Sequence, residues 1–129
     1  MYGYNKQTNA SFEETIEKTK EELQKEGFGV LTEIDVKATF KKKLGVEFDK
    51  YIILGACNPP FAYKALQVEK EIGLMLPCNV IVYEQEGKTV VSTILPTVAM
   101  SMVGNENLKA IAEEIEEKLK RVVDNISEN

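Results

Sequence analysis

The run Tyr51-Ile52-Ile53-Leu54-Gly55-Ala56-Cys57-Asn58-Pro59-Pro60 holds a strand and the start of a helix in one short stretch. Tyr51 to Ala56 is continuously apolar, the composition of a strand buried on both faces or in the middle of a sheet, and it predicts the central strand. Asn58 is a good helix N-cap and Pro59 suits the first helical position, which predicts a helix running to about Glu69 or Lys70. Cys57 therefore falls at the junction between the two elements.

Downstream, Gly73-Leu74-Met75-Leu76-Pro77 leads into a second strand-like run, Asn79 to Glu84. A turn at Glu86-Gly87 joins it to Thr89 to Leu95, a β-hairpin that Pro96 closes. Thr97 to Val103 fits either a short extended piece or a connecting turn. The last segment carries Leu108, Ile111, Ala112, Ile115, Leu119, Val122 and Ile126 at helical spacing among glutamates and lysines, so it is a long amphipathic helix. Asn105 or Asn107 can cap it.

Upstream, Tyr2 to Thr8 alternates weakly and suits an edge strand. Ser11 and Glu14 form a capping-box pair, and Phe12, Ile16, Thr19 and Leu23 follow at helical spacing up to Gly27. Phe28 to Ile34 then alternates, with Phe28, Val30, Thr32 and Ile34 on one face. Asp35 can cap a short helix with Phe40 and Leu44 on its apolar side and Gly45 at its end. The fold class expected is α+β (mixed α/β). A single sheet of about five strands packs against helices, and the chain ends in the hairpin and the long C-terminal helix.

The 129 residues suit one domain over 1-129, with 43% hydrophobic and 29% charged residues, an ordinary globular balance. The net charge of -5 offers no general positive field to a nucleic-acid backbone, so nucleic acid is not expected as a partner. Lys41, Lys42 and Lys43, flanked by Lys37 and Lys50, read as the solvated side of the short helix. No secretory signal and no membrane-length apolar run is apparent, and a cytoplasmic location is expected. In that compartment Cys57 and Cys78 are expected to be reduced.

Histidine and tryptophan are absent, which removes the usual general base and the commonest transition-metal ligand. Cys57 beside a helix start would feel amide donors and the helix dipole, both of which favour a thiolate; burial among Ile53 and Gly55 on one strand face is the plainer alternative. Cys78 lies between Pro77 and Asn79, and the spacing of the two cysteines is neither a redox nor a zinc motif. Two thiols with Met100 or Met102 would suit Cu(I), but methionines in an apolar stretch more simply fill core, and no metal or cofactor is expected. Asp35 with Lys37 reads as a cap and a solvated lysine, and Tyr63 and Tyr83 as pocket or core-edge residues.

The runs Gly27-Phe28-Gly29-Val30-Leu31 with Asp35-Val36-Lys37, Leu54 to Pro60 with Ala62 and Ala65-Leu66, and Gly73 to Val80 resemble the successive motifs of the domain-of-unknown-function family 302. The resemblance spans about Phe12 to Ile126. It implies a small bacterial or archaeal α/β domain that pairs as a homodimer, with no assigned activity. Thr97-Val98-Ala99-Met100 departs from the Asp-Pro and methionine expected before the last helix, so no site is built on an acidic residue there. The leading reading is a homodimeric small-ligand-binding module, not primarily an enzyme, with Cys57, Asn58, Cys78 and Asn79 converging at one end of the sheet. The rivals are a thiol enzyme using Cys57 and Cys78, and a structural subunit. The apolar hairpin residues Val80, Val82, Val90 and Val91 suggest a face for a second copy.

Overall fold

In a computed structural model that describes residues 1–129, the elements follow in the order β1 (Gly3–Thr8), α1 (Phe12–Lys25), β2 (Gly29–Asp35), α2 (Val36–Leu44), β3 (Tyr51–Cys57), α3 (Pro59–Val68), β4 (Cys78–Gln85), β5 (Lys88–Ile94), α4 (Pro96–Ala99) and α5 (Glu106–Asp124). Short 3-10 segments at Lys70–Met75 and Ser101–Val103 complete the connections. The five strands form one sheet in the order β1-β5-β4-β3-β2, and every neighbouring pair is antiparallel. This is the α+β class expected. The central position belongs to β4, however, and β3 lies one place off centre.

Local chemistry explains the element boundaries. The Ser11 hydroxyl accepts from the Glu14 amide at 3.1 Å and donates to the Glu14 carboxylate at 3.0 Å. This starts α1 with a variant of the capping box, in which the carboxylate meets the serine hydroxyl in place of its amide. Asp35 accepts from the Ala38 amide at 2.9 Å to start α2, and Asn105 accepts from the Asn107 amide at 2.9 Å to start α5. The hairpin turns through Glu86 and Gly87 at φ of 52° and 78°, the two left-handed residues a tight type I′ connection needs.

One face of the sheet carries the helices. Val80 and Val82 of β4, Val91 of β5 and Ala56 of β3 pack with Leu23 and Phe28 beneath Ile115, Leu119, Val122 and Val123 of α5. The hairpin valines are thus spent inside the chain: Val80, Val82, Val90 and Val91 are all buried. The expectation that they leave a face open to a second copy is not met.

The opposite sheet face lacks such a layer. Only α2 and the following loop reach it, through an aromatic row in which Phe40 meets Phe48 edge to face at 5.1 Å and Tyr51 stacks on Tyr83 at 5.3 Å. Asp35 and Lys37 prove structural, the first as the α2 cap and the second donating to the Phe48 carbonyl at 2.8 Å.

Strand β2 carries a bulge. Val30 pairs with Ala56 but Thr32 pairs with Gly55, which leaves Leu31 as the extra residue. The insertion splits the face expected for Phe28, Val30, Thr32 and Ile34. Phe28 and Val30 join the helix-side core, whereas Ile34 opposes Ile53 on the other face. Glu33 consequently turns toward α1, where Lys20 meets it at 2.9 Å.

At Gly55 a Cβ would lie 2.2 Å from Thr32 Oγ1 and 2.8 Å from Pro77 Cγ. An added methyl would force the Thr32 side chain and the Pro77 ring to move. Gly55→Ala is expected to destabilise the chain by about 1–3 kcal/mol, the scale of overpacking, as read from urea unfolding. A loss near zero would show that the two strands are not held this tightly.

Candidate functional site

Strand β3 ends at Cys57 and α3 begins at Pro59, so the chain leaves the pleat at the cysteine. Strict alternation would set Cys57 with Ile53 and Gly55, on the face away from α5. Instead Cys57 lines a small cavity on the helix side together with Ala56, Phe61, Cys78, Met100 and Ile115. Cys78 opposes Ala56 in the β3–β4 register, which makes it a close neighbour of Cys57 across the strand ends. Both thiols are free, Cys57 half-buried and Cys78 buried.

Burial pushes the Cys78 thiol from the ordinary 9.0 up to about 11, and the nearby negative charge of a Cys57 thiolate adds to the shift. Cys78 is therefore a neutral thiol at physiological pH, held by an apolar wall. Cys57 precedes a helix start that is poor in amide donors. Pro59 and Pro60 occupy the first turn of α3 and have no N–H to offer.

Asn58 occupies the N-cap position of α3 but makes no side-chain capping bond. Its Nδ2 donates to the Glu26 carbonyl at 3.1 Å, which ties the start of α3 to the end of α1. Asn58 is buried and also lines the cavity. Asn79 does not. As the residue after Cys78 in β4 it takes the opposite face, paired with Gly55, and is exposed. Of the four residues expected to converge, Cys57, Asn58 and Cys78 do so and Asn79 stands apart.

The cavity has a volume of about 30 Å³. That is room for a water molecule or a small ion, far below the roughly 300 Å³ that drug-sized ligands require. Its remaining wall includes Phe28, Ala62, Ala65, Leu76, Pro77, Ile111 and Ala112, with no carboxylate and no lysine. Met100 and Ala112 also border a larger polar groove of about 550 Å³ along α5, where Glu116 accepts from the Thr97 hydroxyl at 2.7 Å and the Thr97 amide at 3.0 Å. Tyr63 is exposed and Tyr83 stacks on Tyr51, so neither reaches the cavity.

Fold and site together define an antiparallel α+β protein with an apolar, thiol-walled cavity at the end of its sheet. The chain belongs to the family described as domain of unknown function DUF302, whose profile it matches over residues 4–126. It is similar in structure to an uncharacterized conserved DUF302 protein from Bacillus stearothermophilus, with 35% identity and a TM-score of 0.91, covering 96% of this chain and 97% of that one. No curated protein matches it. No helix is long and apolar enough to cross a membrane.

The raised Cys78 pKa has a stability consequence with a definite sign. Folding favours the neutral thiol, so this contribution is complete below about pH 9 and is lost as pH rises toward about 11. A rise of that size corresponds to about 2–3 kcal/mol. Urea midpoints measured across that window should fall more steeply for the native chain than for Cys78→Ala. Parallel slopes would mean that Cys78 is not held as a neutral, desolvated thiol.

Proposed function

We propose that the chain is a small one-domain binding module whose site is the cavity walled by Cys57, Asn58 and Cys78, and that it works as a homodimer in the cytoplasm. The observation that carries the reading is that both thiols line one apolar cavity at the sheet end. The small size favours an occupant of one or a few heavy atoms. Reactivity is a weaker fit than binding, because Cys78 is held neutral and prolines replace the amides that would activate Cys57.

Xenon under pressure is a neutral probe of such a cavity. Methyl resonances of Ala62, Met100, Ala112 and Ile115 should shift saturably with xenon, and Ala62→Leu, which adds bulk to the wall, should abolish the effect. Shifts scattered over surface methyls, or unaffected by Ala62→Leu, would count against the cavity as a binding site.

The dimer rests on a surface other than the hairpin. Ile34, Leu31, Leu44, Val46 and Phe48 are exposed along β2, α2 and the loop after it, beside a sheet face that no long helix covers. A second copy placed there would cover them. Light scattering should give twice the 14.5 kDa chain mass, and Ile34→Lys should shift it to the monomer. A monomer mass for the native chain at every concentration would reject the dimer.

A further inference from the structure

Three sulfur-bearing residues, Cys57, Cys78 and Met100, wall the same cavity, which offers no carboxylate. Met102, the alternative thioether, is 79% exposed and takes no part. The small volume suits a single ion better than an organic molecule. We propose that this cavity binds a monovalent soft metal ion of the Cu(I) class, held by the two thiolates with the Met100 thioether as a neutral third ligand. The proposal rests on the reading of the cavity as the binding site and names its occupant.

The donor set selects among ions. Thiolates and thioethers are soft ligands that favour Cu(I), whereas Mg²⁺ and Ca²⁺ require oxygen ligands. Zinc favours four donors of the thiolate, imidazole or carboxylate kind, and the cavity supplies two thiols and nothing else of that kind. A monovalent d10 ion is satisfied by two or three sulfurs.

Binding converts two S–H bonds into two S–metal bonds and releases two protons to solvent, with no change in oxidation state. The ion must therefore arrive already as Cu(I). Burial alone resists deprotonation of Cys78, but a coordinated cation reverses that preference, because a metal-bound thiol is deprotonated outright. The complex carries one net negative charge. Positive side chains stand nearby: Lys64 and Lys118 lie over the Phe61 ring, at 5.3 and 5.8 Å from its centre, and Phe61 forms part of the cavity wall.

Silver(I) is a probe with the same coordination preference and no redox step under these conditions. The full chain is titrated with Ag(I) against a competing thiolate chelator, with protons counted in weak buffer and thermal midpoints recorded. The expected result is one ion and two protons per chain, a raised midpoint, and loss of chelator-resistant binding in both Cys57→Ser and Cys78→Ser. Met100→Leu preserves volume, should fold normally, and is expected to weaken binding while keeping the stoichiometry.

Two ions per chain, each lost with one cysteine, would overturn the shared site, as would wild-type binding no tighter than that of either single-cysteine variant. Unchanged affinity in Met100→Leu would remove the thioether from the ligand set. If the xenon response is present while Ag(I) fails, the cavity reading stands and the metal inference falls. If both fail, the cavity is not the site.

Discussion

Gly55 has no room for a side chain, and the end of the sheet is organised around that absence. Thr32 closes on it from the bulged strand β2 and Pro77 from the chain entering β4. The close approach locks three strands in register at the point where β3 is about to give way to α3. Because β3 and β4 are held there, Ala56 faces Cys78, and Cys57 ends the strand beside them. The bulge at Leu31 serves the same end, since without the extra residue Val30 and Thr32 could not occupy opposite faces.

The cavity follows from what the elements leave between them. The short side chains of Ala56, Ala62, Ala65 and Ala112 come from β3, α3 and α5, and they leave space that Phe28, Phe61 and Ile115 do not fill. In such a wall a thiol is tolerated as a small apolar group, and the same property keeps Cys78 protonated. A cation changes the balance by supplying the charge that the wall lacks. On the proposed reading, the two thiols and the Met100 thioether would favour an ion that prefers sulfur.

Much of the architecture was legible in the residues themselves. Helix α5 announces itself by its stripe and α1 by Ser11 with Glu14, while the Glu86-Gly87 turn marks the hairpin, all through local patterns. What escaped depends on partners distant in the chain. Leu31 carries no mark of a bulge, because the second strand against which Val30 and Thr32 are registered begins some twenty residues later. Asn58 resembles a cap by type, yet its hydrogen-bond partner is the carbonyl of Glu26. Asn79 reads from sequence as the first residue of its strand; only the structure starts β4 one residue earlier, at Cys78, and so turns Asn79 to the opposite face. Phe28, Phe61 and Ala112 are ordinary core residues by composition, and only packing reveals that they surround the thiols. Met100 reads from sequence as core filler, and only packing shows that it lines the same cavity as the two cysteines.

Anomalous diffraction from crystals of the full chain grown with Ag(I) tests the central claim, that the two cysteines form one site, most directly. The account requires one strong anomalous peak per chain, within bonding distance of both cysteine sulfurs and facing Met100. Separate peaks at the two cysteines, or a peak only on the surface with the cavity empty, would contradict it.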